Sequence, residues 1–314
     1  MINLRIFTFK ILLGLSLLFK AQAFASWSSL EHQGSSVHLY TPASLSHLKP
    51  QQKPSLMVNL HGCAQKAQIL KDNGNWEAAA EKFQTIVVIP EVPNGGVIAR
   101  CWDYYGLNHT RENRHNGFIL SLVGKVSNLY NVDPHKVYIS GLSSGAGLSM
   151  VLGCLAPDVF AGIGLNAGPS VGTRSTDVSR SRLDIEGIKK NCLQLAGAQS
   201  QTLGSQVISA VFGDNDFIVD PNYNRKNIQA LSEILQATDE EVLDVSALKG
   251  TRTEGKGTLY LKRGKPVLSI IENTGLGHNW PAGKGGRPAS FVSQNSIDYP
   301  HYLLQFFTSN NRRP

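Results

Sequence analysis

The chain has 314 residues, 41% of them hydrophobic and 17% charged, a balance that argues against a disordered chain and suits a folded domain with a sizeable core. Its formal charge of +7 includes three basic and no acidic residues among the first 25, and without these 27 basic residues stand against 23 acidic ones. No dense Lys/Arg block is interleaved with aromatic residues, so the mild basicity argues against nucleic-acid binding.

Arg5 and Lys10 precede the apolar stretch Ile11 to Phe19, and Ala23-Phe24-Ala25 follows. This is the pattern of a secretory signal peptide cut before Ser26; the apolar run, closed by Lys20, is short for a membrane span of about 20 residues. Residues 1–25 are therefore expected to be a signal peptide and 26–314 a single domain, secreted or periplasmic, with no membrane span once the leader is removed. Further along, Val37 to Tyr40 reads as an early strand, Thr41 to Pro54 as a connection and Ser55 to Leu60 as a buried strand. A short helix around Trp76 (Gly74 to Lys82) leads to the strand Thr85 to Ile89. Lys136 to Ser140 reads as a strand, Ala146 to Leu155 as a mostly apolar helix, and Phe160 to Leu165, Gln206 to Phe212 and Leu268 to Ile271 as further strands. A helical stretch spans Ile228 to Leu235, Tyr260-Leu261 before Arg263-Gly264 suggests a small hairpin, and Tyr302 to Phe307 a terminal helix. Apolar strands separated by helical segments predict an α/β chain with a mostly parallel sheet and helices on both faces.

All four cysteines, Cys63, Cys101, Cys154 and Cys192, lie in the exported part, where two disulfides are expected; four cysteines allow three pairings, and buried free thiols are the competing reading. No cysteine spacing resembles a zinc site and His61, His109 and His115 form no recognisable ligand set, so no metal is expected.

Gly141-Leu142-Ser143-Ser144-Gly145 places a serine between two glycines where a strand turns into a helix. That is how an α/β-hydrolase fold presents its nucleophile, and side chains at 141 and 145 would clash with the tightly reversing backbone. A serine hydroxyl needs a base oriented by a carboxylate, and this fold delivers them in the order Ser, acid, His from loops after the strands. Asp214, Asp216 and Asp220 follow the Gln206 to Phe212 strand and compete for the orienting role: Asp214 is nearest the strand end, while Asp216 lies farther into the loop. A calcium site is the structural alternative for this Asp-rich turn, without a complete EF-hand pattern. His278, in Gly275-Leu276-Gly277-His278-Asn279-Trp280, is the expected base, an ordinary loop histidine being the competing reading. His61-Gly62-Cys63 directly follows a strand, where the fold places its oxyanion loop, so the backbone N–H groups of Cys63 and Ser144 are the expected donors to a negative oxygen. Trp102 and Tyr105, in Cys101-Trp102-Asp103-Tyr104-Tyr105, together with Trp280, are candidate substrate contacts; packing of loops on the core is the competing reading for the tyrosines. This chemistry needs no cofactor.

Asn59-Leu60-His61-Gly62-Cys63-Ala64-Gln65, Cys101-Trp102-Asp103-Tyr104, the Gly141 to Gly145 motif, Pro157-Asp158-Val159-Phe160-Ala161-Gly162 and Gly277-His278-Asn279-Trp280-Pro281 span most of the mature chain. Together they resemble the secreted polyhydroxybutyrate depolymerase family of α/β-hydrolase esterases, related to feruloyl and acetylxylan esterases. The resemblance implies Ser143 as nucleophile, His278 as base, Cys63 as oxyanion donor and, through Gly213-Asp214-Asn215-Asp216-Phe217-Ile218-Val219, Asp216 as the acid. Phe212 stands where the family usually has a histidine before that glycine. The parallel also implies the bridges Cys63 to Cys101 and Cys154 to Cys192, and a hydroxyalkanoate polyester or its oligomers as substrate. No Thr-rich linker or further domain is read after Pro314, which favours soluble oligomers or amorphous polyester. Feruloyl or acetyl esters of plant polysaccharides are the alternative substrates for the same residues; a peptidase sharing the fold and a secreted binding protein on a hydrolase scaffold are the remaining readings.

Overall fold

The computed structural model describes residues 25–313, so the expected signal peptide lies outside the described residues except for Ala25. In chain order the elements are β1 (Ser26–His32), β2 (Ser35–Thr41), β3 (Ser55–Leu60), α1 (Ala67–Asn73), α2 (Trp76–Phe83), β4 (Thr85–Pro90), α3 (Arg114–Tyr130), β5 (Val137–Leu142), α4 (Ser144–Leu155), β6 (Gly162–Asn166), α5 (Ile185–Ala196), β7 (Val207–Gly213), α6 (Asn222–Leu235), β8 (Asp239–Val242), β9 (Gly255–Lys262), β10 (Lys265–Asn273), β11 (Trp280–Pro281), β12 (Val292–Ser293) and α7 (Tyr299–Asn310). Ten strands form one sheet in the order β1-β2-β4-β3-β5-β6-β7-β10-β9-β8. From β4 to β10 the neighbours run parallel, and antiparallel strands extend both edges.

Strands β3, β4 and β5 are buried at every position, which requires cover on both faces of the sheet. Because successive side chains alternate, Leu56, Val58, Leu60, Ile86, Val88, Val137 and Ile139 enter one core with residues of α3, α4, α5 and α6. Met57, Val87, Ile89 and Tyr138 enter the other, with residues of α1, α2 and α7. The expected α/β architecture is thus the observed one. Helix α4 is buried along its whole length, which explains its nearly continuous apolar sequence.

Several elements go beyond the sequence expectations. Strand β1 is mostly exposed and polar, so it carries no alternating pattern; its partner β2 defines it. Helix α3 does carry a signal, since Phe118, Ile119, Leu122, Val123 and Val126 recur at helical spacing. The expected small hairpin is a full pair of main-sheet strands: β9 and β10 join through Arg263 and Gly264, both at positive φ as a two-residue type I′ turn requires, and β8 adds beyond β9.

The parallel centre determines where chemistry can assemble. The carboxyl ends of β3, β5, β7 and β10 share one edge of the sheet, and the loops leaving them carry His61 to Cys63, Ser143, Asp214 to Asp216, and His278.

Candidate active site

Ser143 occupies the single position between β5 and α4, at φ 58° and ψ −119°. A non-glycine residue held there costs about 1–3 kcal/mol and persists only when its surroundings over-determine it. Here Ser143 N–H donates to the Asn166 carbonyl at 2.9 Å, and the Ser143 carbonyl accepts from Gly147 N–H at 2.9 Å. The flanking glycines are sterically obligatory: a Cβ on Gly141 would lie 2.5 Å from the Gly145 carbonyl carbon, and one on Gly145 would lie 2.4 Å from the Leu60 oxygen and 2.6 Å from the His61 oxygen. All these neighbours are backbone, which has little freedom to yield.

The acid and base loops leave adjacent parallel strands, with Gly213 of β7 in register with Asn273 of β10. They brace each other at once, for Asp214 Oδ1 accepts Gly275 N–H at 2.6 Å and the Leu276 carbonyl accepts Asn215 N–H at 3.1 Å. Two residues on, Asp216 Oδ2 lies 2.8 Å from His278 Nδ1, while its Oδ1 accepts the N–H groups of Ile218 and Val219 at 2.9 and 3.0 Å. An acceptor-only carboxylate at Nδ1 fixes the proton there and leaves Nε2 as the acceptor. Asp220 serves a third purpose, accepting Ser181 N–H through Oδ2 at 2.8 Å and Asn222 N–H through Oδ1 at 3.0 Å. The three acids open to choice in the sequence are therefore separated by their partners, each bracing a different segment rather than converging on an ion. Among the described residues no group of three or more His, Cys, Asp or Glu could hold a metal.

Beyond β3 the chain turns on His61, which is fully buried. Its Nδ1–H donates to the Gly62 carbonyl at 2.8 Å and its Nε2 accepts Val92 N–H at 3.2 Å, an arrangement open only to the neutral ring. Burial correspondingly holds its pKa below the usual histidine value. The Cys63 N–H has no acceptor among the described residues. Ser144 begins α4, so its N–H has no intrahelical acceptor either. Disulfides join Cys63 to Cys101 and Cys154 to Cys192, the pairs implied by resemblance. The first ties the loop after β3 to the aromatic segment, reinforced by Ala64 N–H donating to the Ala99 carbonyl at 2.6 Å and Trp102 N–H donating to Ser144 Oγ at 3.3 Å. The second ties α4 to α5.

Ser143 and His278 line one cleft of about 180 Å³, together with Gly62, Cys63, Ala64, Tyr104, Tyr105, Leu142, Val178, Ile218 and Phe291. No hydrogen bond joins Ser143 to His278 among the described residues. Of the expected substrate contacts, Tyr105 lines the cleft, its ring 4.2 Å from that of Tyr104. Trp102 and Trp280 do not, and both are 0% exposed. Trp102 packs among His61, His115 and Phe118 beneath the disulfide-tied loop. Trp280 lies in β11, where it packs tilted against Trp76 and edge-on to Tyr299 and donates Nε1–H to the Gly74 carbonyl at 3.1 Å. After His278 the chain re-enters the core, so proximity in sequence to the imidazole does not bring this ring to the cleft. Val178, Ile218 and Phe291 were not expected there; only Ile218 carries a sequence hint, as one of two apolar residues, Phe217-Ile218, that directly follow Asp216 in its loop.

A central parallel sheet, a serine on a strained strand-to-helix turn and an Asp–His pair on the next loops define an α/β-hydrolase fold. The comparisons narrow this. Residues 36–232 match the family model described as Esterase PHB depolymerase, and the chain belongs to that family. The chain is 33% identical over 287 residues to a poly(3-hydroxybutyrate) depolymerase of Ralstonia pickettii, covering 88% of this chain but only 58% of the relative's length. It is 27% identical over 321 residues to poly(3-hydroxyalkanoate) depolymerase C of Paucimonas lemoignei, covering 93% of this chain and 75% of that one. Among solved structures, the acetyl xylan esterase from Aspergillus awamori superposes with a TM-score of 0.63 at 18% identity, over 81% of this chain and 94% of that one, a likeness of fold.

Proposed function

We propose that the chain is a serine esterase that hydrolyses 3-hydroxybutyrate polyester or its oligomers through an acyl-enzyme. The observation that carries this reading is the buried Asp216–His278 pair, at 2.8 Å, whose imidazole lines the same cleft as Ser143. In this mechanism His278 Nε2 takes the Ser143 hydroxyl proton as Oγ bonds to the ester carbonyl carbon, and Asp216 stabilises the resulting imidazolium. The N–H groups of Cys63 and Ser144 hold the oxyanion. As the carbonyl reforms, the alkoxide leaves with the proton from His278. Water then gives a proton to His278 and attacks the acyl carbon, and the returned proton frees Ser143 and a hydroxyacid product.

The substrate class rests on the cleft walls and the family. The side chains of Tyr104, Tyr105, Leu142, Val178, Ile218 and Phe291 offer apolar surface, and Phe217, which follows the acid in sequence, is exposed. An aliphatic polyester suits such a surface. Residues 26–314 are proposed as one catalytic domain exported to the periplasm or beyond, where two disulfides persist. Among the described residues no helix is long and apolar enough to cross a membrane.

The test is product analysis on 3-hydroxybutyrate oligomers, feruloyl esters and acetylated xylan, with parent and Ser143→Ala proteins side by side. Oligomer cleavage that vanishes in Ser143→Ala is expected. Preferential release of ferulate or acetate would move the substrate to plant polysaccharide esters, and hydrolysis at the parental rate by Ser143→Ala would refute the nucleophile.

A further inference from the structure

We propose that Gln65 is a positioning residue that sets the orientation of the oxyanion peptide and ties it to the wall of the histidine pocket; this rests on the esterase reading above. The Cys63 N–H belongs to the Gly62–Cys63 peptide, which is planar and trans, so its direction is opposite to that of the Gly62 carbonyl. Whatever pins that carbonyl therefore aims the N–H. The Gly62 carbonyl accepts from His61 Nδ1 at 2.8 Å and from Gln65 N–H at 3.4 Å. The preceding peptide is held from the other side, since Gly62 N–H donates to Gln65 Oε1 at 3.0 Å. Backbone and side chain of one residue thus close the turn in both directions around Cys63. The closure matters because Ala64, inside the turn, is at φ 56°, a conformation the chain would relax if released.

The same carboxamide has a second end. Gln65 Nε2 donates to the Ser290 carbonyl at 3.0 Å, 225 residues away in sequence. The next residue, Phe291, places its ring edge-on to the His278 imidazole, with centroids 6.0 Å apart and planes at 81°, and its carbonyl accepts Trp280 N–H at 2.8 Å. Gln65 is 0% exposed and its bond from Gly62 N–H is buried, so water does not replace that bond, while the bond to the exposed Ser290 is part-buried. Only a neutral side-chain amide of this length offers an acceptor to Gly62 and a donor to Ser290 together; glutamate keeps the first and loses the second, and methionine loses both.

The experiment compares parent, Gln65→Met and Gln65→Glu on p-nitrophenyl butyrate, with thermal melts, labelling by a fluorophosphonate, and inhibition by a trifluoromethyl ketone that mimics the tetrahedral intermediate. A displaced oxyanion donor predicts a kcat loss of roughly 100-fold in Gln65→Met with KM within about threefold, and a smaller kcat loss in Gln65→Glu. Affinity for the ketone should fall in step with kcat/KM, which general loosening of the fold does not require. Parental kcat in a folded Gln65→Met protein overturns the proposal, as does a kcat loss with unchanged ketone affinity. If Gln65→Met does not fold, Gln65→Glu decides by the same two readouts. A parent that neither hydrolyses the ester nor takes the fluorophosphonate overturns the esterase reading and this one with it, an outcome distinct from an active parent indifferent to Gln65.

Discussion

Replacing Asp216 by asparagine changes almost no volume yet should nearly silence hydrolysis. Asn Oδ1 can still accept the N–H groups that Ile218 and Val219 now give to Asp216, at 2.9 and 3.0 Å, so the loop keeps its shape. The amide nitrogen, however, takes the place of Oδ2, 2.8 Å from His278 Nδ1, and two donors then face each other. The contact survives only if the ring proton moves to Nε2, where His278 becomes a donor and can no longer accept the Ser143 proton. A wrong-tautomer defect of this kind lowers kcat about 10⁴-fold, which corresponds to about 5.5 kcal/mol of transition-state stabilisation. The lost charge-assisted hydrogen bond costs about 2 kcal/mol of folding stability, a far smaller proportional effect. Asp214→Asn is the matched control, because its Oδ1 still accepts Gly275 N–H and its kcat should stay within about threefold of the parent. The assay is kcat on p-nitrophenyl butyrate with Tm recorded for each protein. An Asp216→Asn protein keeping more than a tenth of the parental kcat, or an equal loss in Asp214→Asn, would refute the assignment of the acid.

Two further predictions separate structural from chemical roles. Trp280→Phe removes the Nε1–H bond to the Gly74 carbonyl and part of a ring packed between Trp76 and Tyr299; it should cost about 2–4 kcal/mol of stability with KM for a soluble ester unchanged within twofold, whereas a raised KM at the parental Tm would return this ring to the substrate. Burial depresses the pKa of His32, His38, His61, His109, His115 and His301, the last to about 4. The unfolded chain protonates these rings near 6.5 and the folded chain resists, so their contribution is present above pH 6.5 and is lost as the pH falls toward each folded value. Burial raises the pKa of Asp298 and acts in the opposite sense. Tm should therefore fall between pH 7.5 and 5, and His301→Asn should blunt the fall; a flat or rising profile in the parent would contradict it.

The strands of the parallel centre are legible in the sequence because burial on both faces leaves them as unbroken apolar runs: Ser55 to Leu60 is read and found with the same bounds. The serine turn is legible for a different reason. Its constraints act between residues 141 and 145 and the strand end they touch, so the two glycines report the crowding directly. Strands whose identity depends on a partner escape, since β1 exists through β2 and β8 through β9, whereas α3 goes unread although its apolar residues recur at helical spacing.

The same division runs through the candidate site. Sequence by itself determined the order of serine, acid and histidine and the loops that carry them, because a parallel sheet delivers successive strand ends to one edge. The tertiary structure brings Asp216, the acid implied by the family resemblance, to the imidazole, and it alone decided that Trp102 and Trp280 are core residues and that Val178, Ile218 and Phe291 wall the cleft with Tyr105. Local patterns record what a residue's near neighbours require of it. Which side chains share a cleft depends on strand register and on loops that meet from distant parts of the chain, as Gln65 meets Ser290, and no short stretch of sequence contains that geometry.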